Sequence, residues 1–228
     1  MKQSYINKFN TVYGSNDCYY GLELRKEFTD YFAKRDLTNK HALDLGCGEG
    51  RYSLFLARNE CHVTAIDRSP VGIEKLQHIS KKYRLPILPT LIDIAEFDFP
   101  PNNYDDNYDN LYDIIVAATV LDHLDNRLRK RTVLNIKKAL KPSGILYVNV
   151  FTKSDPGYNL KQKDSATSGA TDISDTAECM AHYFDHDELK SLFKDFEPLY
   201  YYEGIEPDLS HGRPHHHGWA CLLARKPA

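Results

Sequence analysis

The chain lacks long apolar segments and any strong excess of one charge. No apolar run approaches the about 20 residues that a membrane-crossing helix needs, and the first five residues, MKQSY, do not resemble a secretory signal. The formal net charge is only −3 over 228 residues, so no positive field attracts phosphate backbones. We therefore expect neither a membrane nor a nucleic acid as partner, while the oligomeric state is left open.

Cysteine is scarce and irregularly spaced. The chain has five cysteines, an odd number, and none of them forms a C-x-x-C pair. That spacing fits neither a disulfide framework nor a structural zinc site, whereas free thiols suit a reducing compartment. We expect a cytoplasmic protein.

Apolar runs alternate with helical patterns along the chain. Its 228 residues, 42% of them hydrophobic, are enough for one substantial core, so we expect a single domain over residues 1–228. Such alternation predicts an α/β fold with a mostly parallel sheet and helices on both faces. Helices are predicted at 18–36, 50–59, from Pro70 and at 126–141; strands are predicted at 41–45, 62–67, 87–94, 112–119, 145–151, 197–203 and 218–225.

Local signals mark the ends of several elements. Ser69 and Pro70 supply an N-cap and a first-turn proline for one helix, and Asp185 and Glu188 predict a capping box for the last helix. Pro89 places its strand at an edge of the sheet. The polar stretch 152–181 has no clear period, which predicts a lid or binding loop.

Glycines 46, 48 and 50 follow the first predicted strand and open a helix, where open α/β sheets bind ligands. Arg51 directly follows this G-x-G-x-G turn, at the position where a dinucleotide-binding G-x-G-x-x-G has its last glycine. Asp44 would repel a pyrophosphate but would suit a ligand that carries an ammonium and a sulfonium. Asp67, which ends the second strand, can accept both hydroxyls of an adenosine ribose. The pattern favours a nucleoside-type cofactor over a purely structural turn.

Residues 42–51, ALDLGCGEGR, look like motif I of the class I S-adenosylmethionine-dependent methyltransferases. Residues 112–124 resemble motif IV of the small-molecule branch of that family, and residues 141–146, KPSGIL, resemble the turn into its fifth strand. The resemblance covers residues 40–151 well and the rest loosely. It implies a Rossmann-like, doubly wound, mostly parallel seven-stranded sheet with an antiparallel last strand, and S-adenosyl-L-methionine as the cofactor.

Within that superfamily the chain most resembles the tellurite-resistance (TehB-like) methyltransferases. It shares their Gly-Cys-Gly-x-Gly-Arg turn and a segment rich in tyrosine and glycine near the start, so residues 1–36 are expected to form a cover segment and a helix. The resemblance also implies an adenine contact for Asp93. The residues expected to bind the cofactor are Tyr13, Tyr20, Asp44, Gly46, Cys47, Gly48, Arg51, Asp67, Arg68, Asp93, Ile94, Thr119 and His123.

The acceptor is expected to be a small molecule such as a thiol or a chalcogen oxyanion of the tellurite or selenite type. Residues 118–121, ATVL, lack the Asn/Asp-Pro-Pro-aromatic tetrapeptide of enzymes that methylate bases. In the family topology, the 203–217 loop emerges beside the cofactor. Arginine and histidine there suit an anionic or soft acceptor. The expected catalytic residues are His123, His182, His211, Arg213 and His215.

Several features have plainer interpretations. His123 could equally pack beneath the cofactor. A metal site would have to combine His215 and His217 with His211, and a solvated hairpin loop is the favoured interpretation, so no metal is expected. The main functional alternative is a catalytically silent S-adenosylmethionine-binding sensor or scaffold. A nicotinamide oxidoreductase is a weaker alternative, since Asp44 and Arg51 argue against it.

Overall fold

The computed structural model describes residues 3–15, 18–100, 111–158, 180–208 and 214–228. Seven strands form one sheet in the order β3-β2-β1-β4-β5-β7-β6. Strand β7 is antiparallel to both β5 and β6, and the other four pairings are parallel. The predicted seven-stranded sheet with an antiparallel last strand is confirmed. The strands are β1 His41–Leu45, β2 His62–Asp67, β3 Ile87–Leu91, β4 Tyr112–Ala118, β5 Leu140–Phe151, β6 Glu197–Asp208 and β7 His215–Arg225.

Helices cover both faces of the sheet because the side chains of each strand alternate between the faces. The helices are α1 Gln3–Ser15, α2 Lys26–Phe32, α3 Arg51–Arg58, α4 Pro70–Tyr83, α5 Asn126–Ala139 and α6 Glu188–Leu192. Leu43 and Leu45 pack with the side of the core that α5 and α6 cover, while Ala42 packs with the side that α2, α3 and α4 cover. This arrangement is the doubly wound fold expected from the sequence.

The start of α4 carries the cap predicted from the sequence. The Ser69 hydroxyl oxygen accepts a hydrogen bond from the Gly72 N–H at 3.2 Å, and Pro70 occupies the first turn. The same hydroxyl donates to Asn10 Oδ1 at 2.6 Å, which ties α1 to α4. A Cβ on Gly72 would lie 2.8 Å from the Gly48 carbonyl oxygen. Helix α4 therefore packs directly against the glycine turn, with α1 beside it.

Three predicted helix boundaries are wrong. The helix predicted at 18–36 is only Lys26–Phe32, because Gly21, at φ +68°, belongs to a turn that precedes it. Helix α5 ends at Ala139, where β5 begins at once. The capping box before α6 forms only in part. Glu188 accepts from the Asp185 N–H at 2.9 Å, but the Asp185 carboxylate pairs with Lys153 and the helix begins after Asp187.

Prolines mark both edges of the sheet, because an edge strand tolerates the missing N–H. Pro89 lies in β3 at one edge, as predicted, and Pro207 lies in β6 at the other. The last two strands are longer than expected, and Asp208 of β6 pairs with His215 of β7. The three consecutive histidines therefore lie in a strand, and the prediction of a solvated hairpin loop is wrong. None of the helices in the described ranges combines the length and the apolar character that a membrane crossing requires.

Candidate cofactor and acceptor site

A cavity opens at the carboxyl ends of β1, β2 and β4, bordered by α1 and by the end of β6 and the beginning of β7. Of the residues expected to bind a cofactor, Asp93 alone does not line it. The Asp93 carboxylate instead lies 3.3 Å from the Arg68 guanidinium. The expected cofactor residues that share the cavity wall are Tyr13, Tyr20, Asp44, Gly46, Cys47, Gly48, Arg51, Asp67, Arg68, Ile94, Thr119 and His123.

The glycine turn depends on backbone conformations that other residues rarely adopt. Gly46, Gly48 and Gly50 have φ angles of +63°, +54° and +86°, all in the left-handed region. A Cβ on Gly46 would lie 2.3 Å from Val120 Cγ2, and one on Gly48 would lie 2.7 Å from the Tyr13 hydroxyl. The turn is therefore fixed both by its conformation and by side chains packed directly on its backbone.

Asp67 holds the turn from the end of β2. Its Oδ2 accepts from the Gly48 N–H at 2.9 Å, and its Oδ1 accepts from the Ser69 N–H at 2.7 Å. Burial raises the pKa of this carboxyl, although these hydrogen bonds oppose the shift. Because each carboxylate oxygen can accept more than one hydrogen bond, Asp67 can orient the turn and still receive hydroxyls from a bound ligand.

Asp44 is buried beneath the same turn. Its Oδ2 accepts from the Ser53 hydroxyl at 2.6 Å and from the Ser53 N–H at 3.1 Å. Burial raises the pKa of Asp44 to about 7, against the lowering effect of both bonds. A cationic ligand beside Asp44 would lower this pKa again, since a nearby positive charge favours the ionised form of a carboxyl. The pair of buried acids therefore fits a ligand that carries both hydroxyls and a positive charge.

Glu49 and Arg51 fasten the segment before α2 onto the turn. Glu49 accepts from the Tyr19 N–H at 2.8 Å and pairs with Lys75 at 2.8 Å. Arg51 Nη1 lies 3.4 Å from the Tyr20 carbonyl oxygen. The Tyr20 ring meets the Tyr13 ring edge to face, with centroids 6.2 Å apart. Helix α1, through Tyr13, and the segment before α2, through Tyr20, thus form one side of the cavity.

The expected catalytic residues are only partly brought together. His123 lines the cavity, with its ring edge to face with Phe9 at 5.3 Å between centroids. His182 is not among the lining residues, and its Nε2 lies 2.8 and 2.9 Å from the two Glu188 carboxylate oxygens. His215 contacts His217 at the edge of the site. His211 and Arg213, and most of the 152–181 stretch, lie outside the described residues.

Two buried polar residues outside the expected catalytic set, His217 and Asp155, complete this side of the cavity. His217 lines it, and its Nδ1 lies 2.8 Å from Asp155 Oδ2. The Gly218 N–H donates to the same oxygen at 2.9 Å. The run of three histidines was a usable signal for His217. Asp155 had none, because it belongs to a polar stretch without periodicity and reaches His217 only through the folded sheet.

Comparisons with known proteins agree with this geometry. A family profile described as a methyltransferase domain matches residues 19–197. A ubiquinone biosynthesis O-methyltransferase of Rickettsia conorii is 29% identical, over 61% of this chain and 44% of that protein. A Haemophilus influenzae protein named probable S-adenosyl-L-methionine-dependent methyltransferase TehB is 29% identical, over 92% of this chain and 70% of that protein.

A solved structure shows the same fold. The crystal structure of TehB from Haemophilus influenzae has a TM-score of 0.66 at 24% identity, over 89% of this chain and 62% of that chain. The chain spans about half the length of the Rickettsia enzymes that it matches. The similarity to these proteins is therefore a similarity to one domain of each.

Proposed function

The chain belongs to the methyltransferase-domain family, and from that premise we propose that it transfers the methyl group of S-adenosylmethionine to a thiol or a chalcogen oxyanion. The predictions of the family, of the enzyme class and of the cofactor are confirmed by the family match and the TehB relative. One observation carries the proposal for the acceptor. The cavity that holds the glycine turn and its two buried acids continues to the His123 and His217 side chains.

The cofactor end of the cavity fits S-adenosylmethionine chemically. Asp67 would accept the ribose hydroxyls while it holds the Gly48 N–H. Asp44 would complement the positive charge of the amino-acid portion, which a dinucleotide lacks. Ile92 and Ile94 add apolar wall suited to a purine. Bound here, the cofactor supplies an electrophilic methyl group, and alignment and exclusion of water account for most of the rate.

The acceptor end is aromatic and carries imidazoles. Phe151 stacks on Trp219 with ring centroids 4.2 Å apart, and His217 meets both rings at 4.8 and 5.3 Å. Sulfur contacts aromatic rings favourably. A thiol ionises closer to neutral pH than an alcohol, so it needs less help from a general base. These properties support a soft nucleophile as the acceptor, with His123 beside it.

Four further assignments complete the proposal. The single domain spans residues 1–228, and the described part of residues 1–36 covers the cavity through Tyr13 and Tyr20. Of the expected catalytic residues, His123 and His215 serve the acceptor side. The substrate is a small molecule rather than a nucleic acid or a membrane component. A cytoplasmic location is supported by Cys18, Cys47, Cys61 and Cys221, which are free thiols.

Cofactor affinity should rise with pH below neutrality. The pKa of Asp44 is raised to about 7 in the free protein, and a cationic ligand binds its ionised form. At lower pH the carboxyl must first lose its proton, so the affinity for S-adenosylhomocysteine should increase about fivefold from pH 6 to pH 7. Titration calorimetry at both pH values measures the change. Asp44→Asn should bind weakly and with little pH dependence, and an equal pH dependence in that variant would assign the effect to another group.

Methyl transfer itself can be tested with a panel of acceptors. We expect release of S-adenosylhomocysteine that depends on an added thiol, selenite or tellurite, and little release with an amine or a phenol. Asp67→Asn should slow the release. Binding of S-adenosylmethionine without transfer to any member of the panel would contradict the enzyme proposal and favour the catalytically silent module.

A further inference from the structure

We propose that Asp208, His215 and His217 form a binding site for a divalent transition-metal ion in the wall of the cavity. Their ligand atoms all lie within 4.8 Å of one another. His215 Nε2 and His217 Nε2 are 2.8 Å apart, and His217 Nε2 is 3.9 Å from Asp208 Oδ2. Asp208 and His217 both line the cavity that contains the glycine turn.

The register of two long strands creates this group. Asp208, at the end of β6, pairs directly with His215, at the beginning of β7. Side chains two residues apart on a strand point to the same face, so His215 and His217 project together and His216 projects away. Each of the three side chains is therefore placed by regular backbone pairing.

A buried carboxylate orients one of the imidazoles. Asp155 Oδ2 accepts from His217 Nδ1, and Asp155 Oδ1 accepts from the Gly157 N–H at 2.7 Å. A carboxylate on Nδ1 selects the tautomer whose Nε2 carries a lone pair, which is the arrangement found behind metal-binding histidines. Gly218 permits this approach, since a Cβ there would lie 2.3 Å from the Asp155 backbone nitrogen. The His217 lone pair thus points towards His215 and Asp208.

The donor set and spacing suit zinc or iron(II). In a tetrahedral zinc site two nitrogen ligands are separated by about 3.3 Å, so the present 2.8 Å between the Nε2 atoms needs only a small rotation of one ring. Two imidazoles and one carboxylate are the protein ligands of many catalytic zinc and non-haem iron sites, which keep a coordination position open. Without an ion, one of the facing Nε2 atoms must carry a proton to bond the other. That metal-free hydrogen bond is the competing interpretation.

The ion would act on the acceptor, and this step rests on the proposed function. An open coordination position in the cavity wall would bind the thiolate or the oxyanion and favour its deprotonated form. The acceptor would then be held in the same cavity that receives the methyl donor.

A second cluster provides a matched control. His186, Asp187 and Glu203 also bring ligand atoms together, but the His186 side chain is 81% exposed and none of the three lines the cavity. His186→Ala therefore removes a surface histidine of a comparable group. It should leave binding at the proposed site unchanged.

Zinc binding to the full chain tests the proposal directly. Protein treated with a chelator and dialysed is titrated with Zn²⁺ in competition with a chromophoric chelator. We expect one tight equivalent in the wild type. His215→Ala and His217→Ala should bind at least about 100-fold more weakly, and Asp155→Asn about 10–100-fold more weakly. If a histidine variant unfolds, Asp208→Asn tests the site instead. This substitution replaces one carboxylate oxygen by an amide nitrogen at a partly exposed position, and it should also weaken Zn²⁺ binding.

Any of three results would overturn the proposal: the wild type binds no Zn²⁺, the Asp208, His215 and His217 variants bind Zn²⁺ as tightly as the wild type, or only His186→Ala loses Zn²⁺ binding. Titration of S-adenosylhomocysteine into the metal-free protein separates the two claims. Cofactor binding with no Zn²⁺ site contradicts only the metal proposal, whereas Zn²⁺ binding with no methyl transfer contradicts only the proposed function.

Discussion

Asp67→Ala should weaken the binding of S-adenosylhomocysteine at least about 100-fold. The substitution removes the acceptor for the ribose hydroxyls, and hydrogen bonds to a charged group contribute about 1.5–3 kcal/mol each. It also releases the Gly48 and Ser69 N–H groups, which Asp67 now holds at 2.9 and 2.7 Å. Both effects act on the cofactor end of the cavity, and titration calorimetry measures their sum.

Two further variants serve as comparisons for Asp67→Ala. Asp67→Asn keeps one acceptor oxygen, so its affinity should fall between those of the wild type and Asp67→Ala. Asp36→Ala removes an exposed carboxylate that bonds Thr38 and does not line the cavity, and it should bind like the wild type. If Asp67→Ala binds within threefold of the wild type while remaining folded, Asp67 does not hold the ribose.

Gly46→Ala should lower the free energy of unfolding by about 3 kcal/mol. A residue with a side chain loses about 1–2 kcal/mol in the left-handed conformation that Gly46 adopts at φ +63°. The new Cβ would also lie 2.3 Å from Val120 Cγ2, and Val120 is buried. Overpacking of this kind costs about 1–3 kcal/mol. Urea unfolding monitored by circular dichroism gives the total.

The two contributions to the Gly46 effect can be measured apart. Val120→Ala removes the clashing methyl groups, so combining it with Gly46→Ala should show a favourable coupling of about 1–3 kcal/mol. Gly14→Ala is the matched control, because Gly14 lies in α1 with nothing within 4 Å of the added Cβ. Alanine there should stabilise the helix by about 0.5–1 kcal/mol. A Gly46→Ala effect below about 0.5 kcal/mol would contradict the tight packing of the turn.

The central part of the fold could be predicted because its signals are local. Buried parallel strands such as β4 are continuous apolar runs, and the glycines between β1 and α3 mark a turn that few other residues can form. Asp44 and Asp67 were predictable as well, since strand ends at such a turn face the ligand. These features depend on residues that are neighbours in the sequence.

Helix α1 was missed because its stability comes from contacts with distant residues. Its sequence, QSYINKFNTVYGS, contains several weak helix formers and no acidic residue in the first turn. In the folded chain, Asn10 bonds Ser69 and the Tyr13 ring packs over Gly48. Neither partner can be inferred from the helix's own pattern.

The acceptor side was only partly predictable for the same reason. The three histidines lie in a strand because they pair with Asp208, Pro207 and Glu206 of the preceding strand. The contact between Asp155 and His217 joins residues 62 positions apart. Long-range pairing of this kind has no period within either segment, so the sequence indicated the cofactor end more fully than the acceptor end.

A crystal structure of the protein with bound S-adenosylhomocysteine would show which residues hold the cofactor. The ribose hydroxyls should lie within hydrogen-bonding distance of the Asp67 carboxylate, and the amino group should lie on the Asp44 side of the turn. The sulfur should face the part of the cavity that His123 and His217 line. A ligand bound elsewhere, or one whose ribose makes no contact with Asp67, would show that this cavity is not the cofactor site or that Asp67 does not hold the ribose.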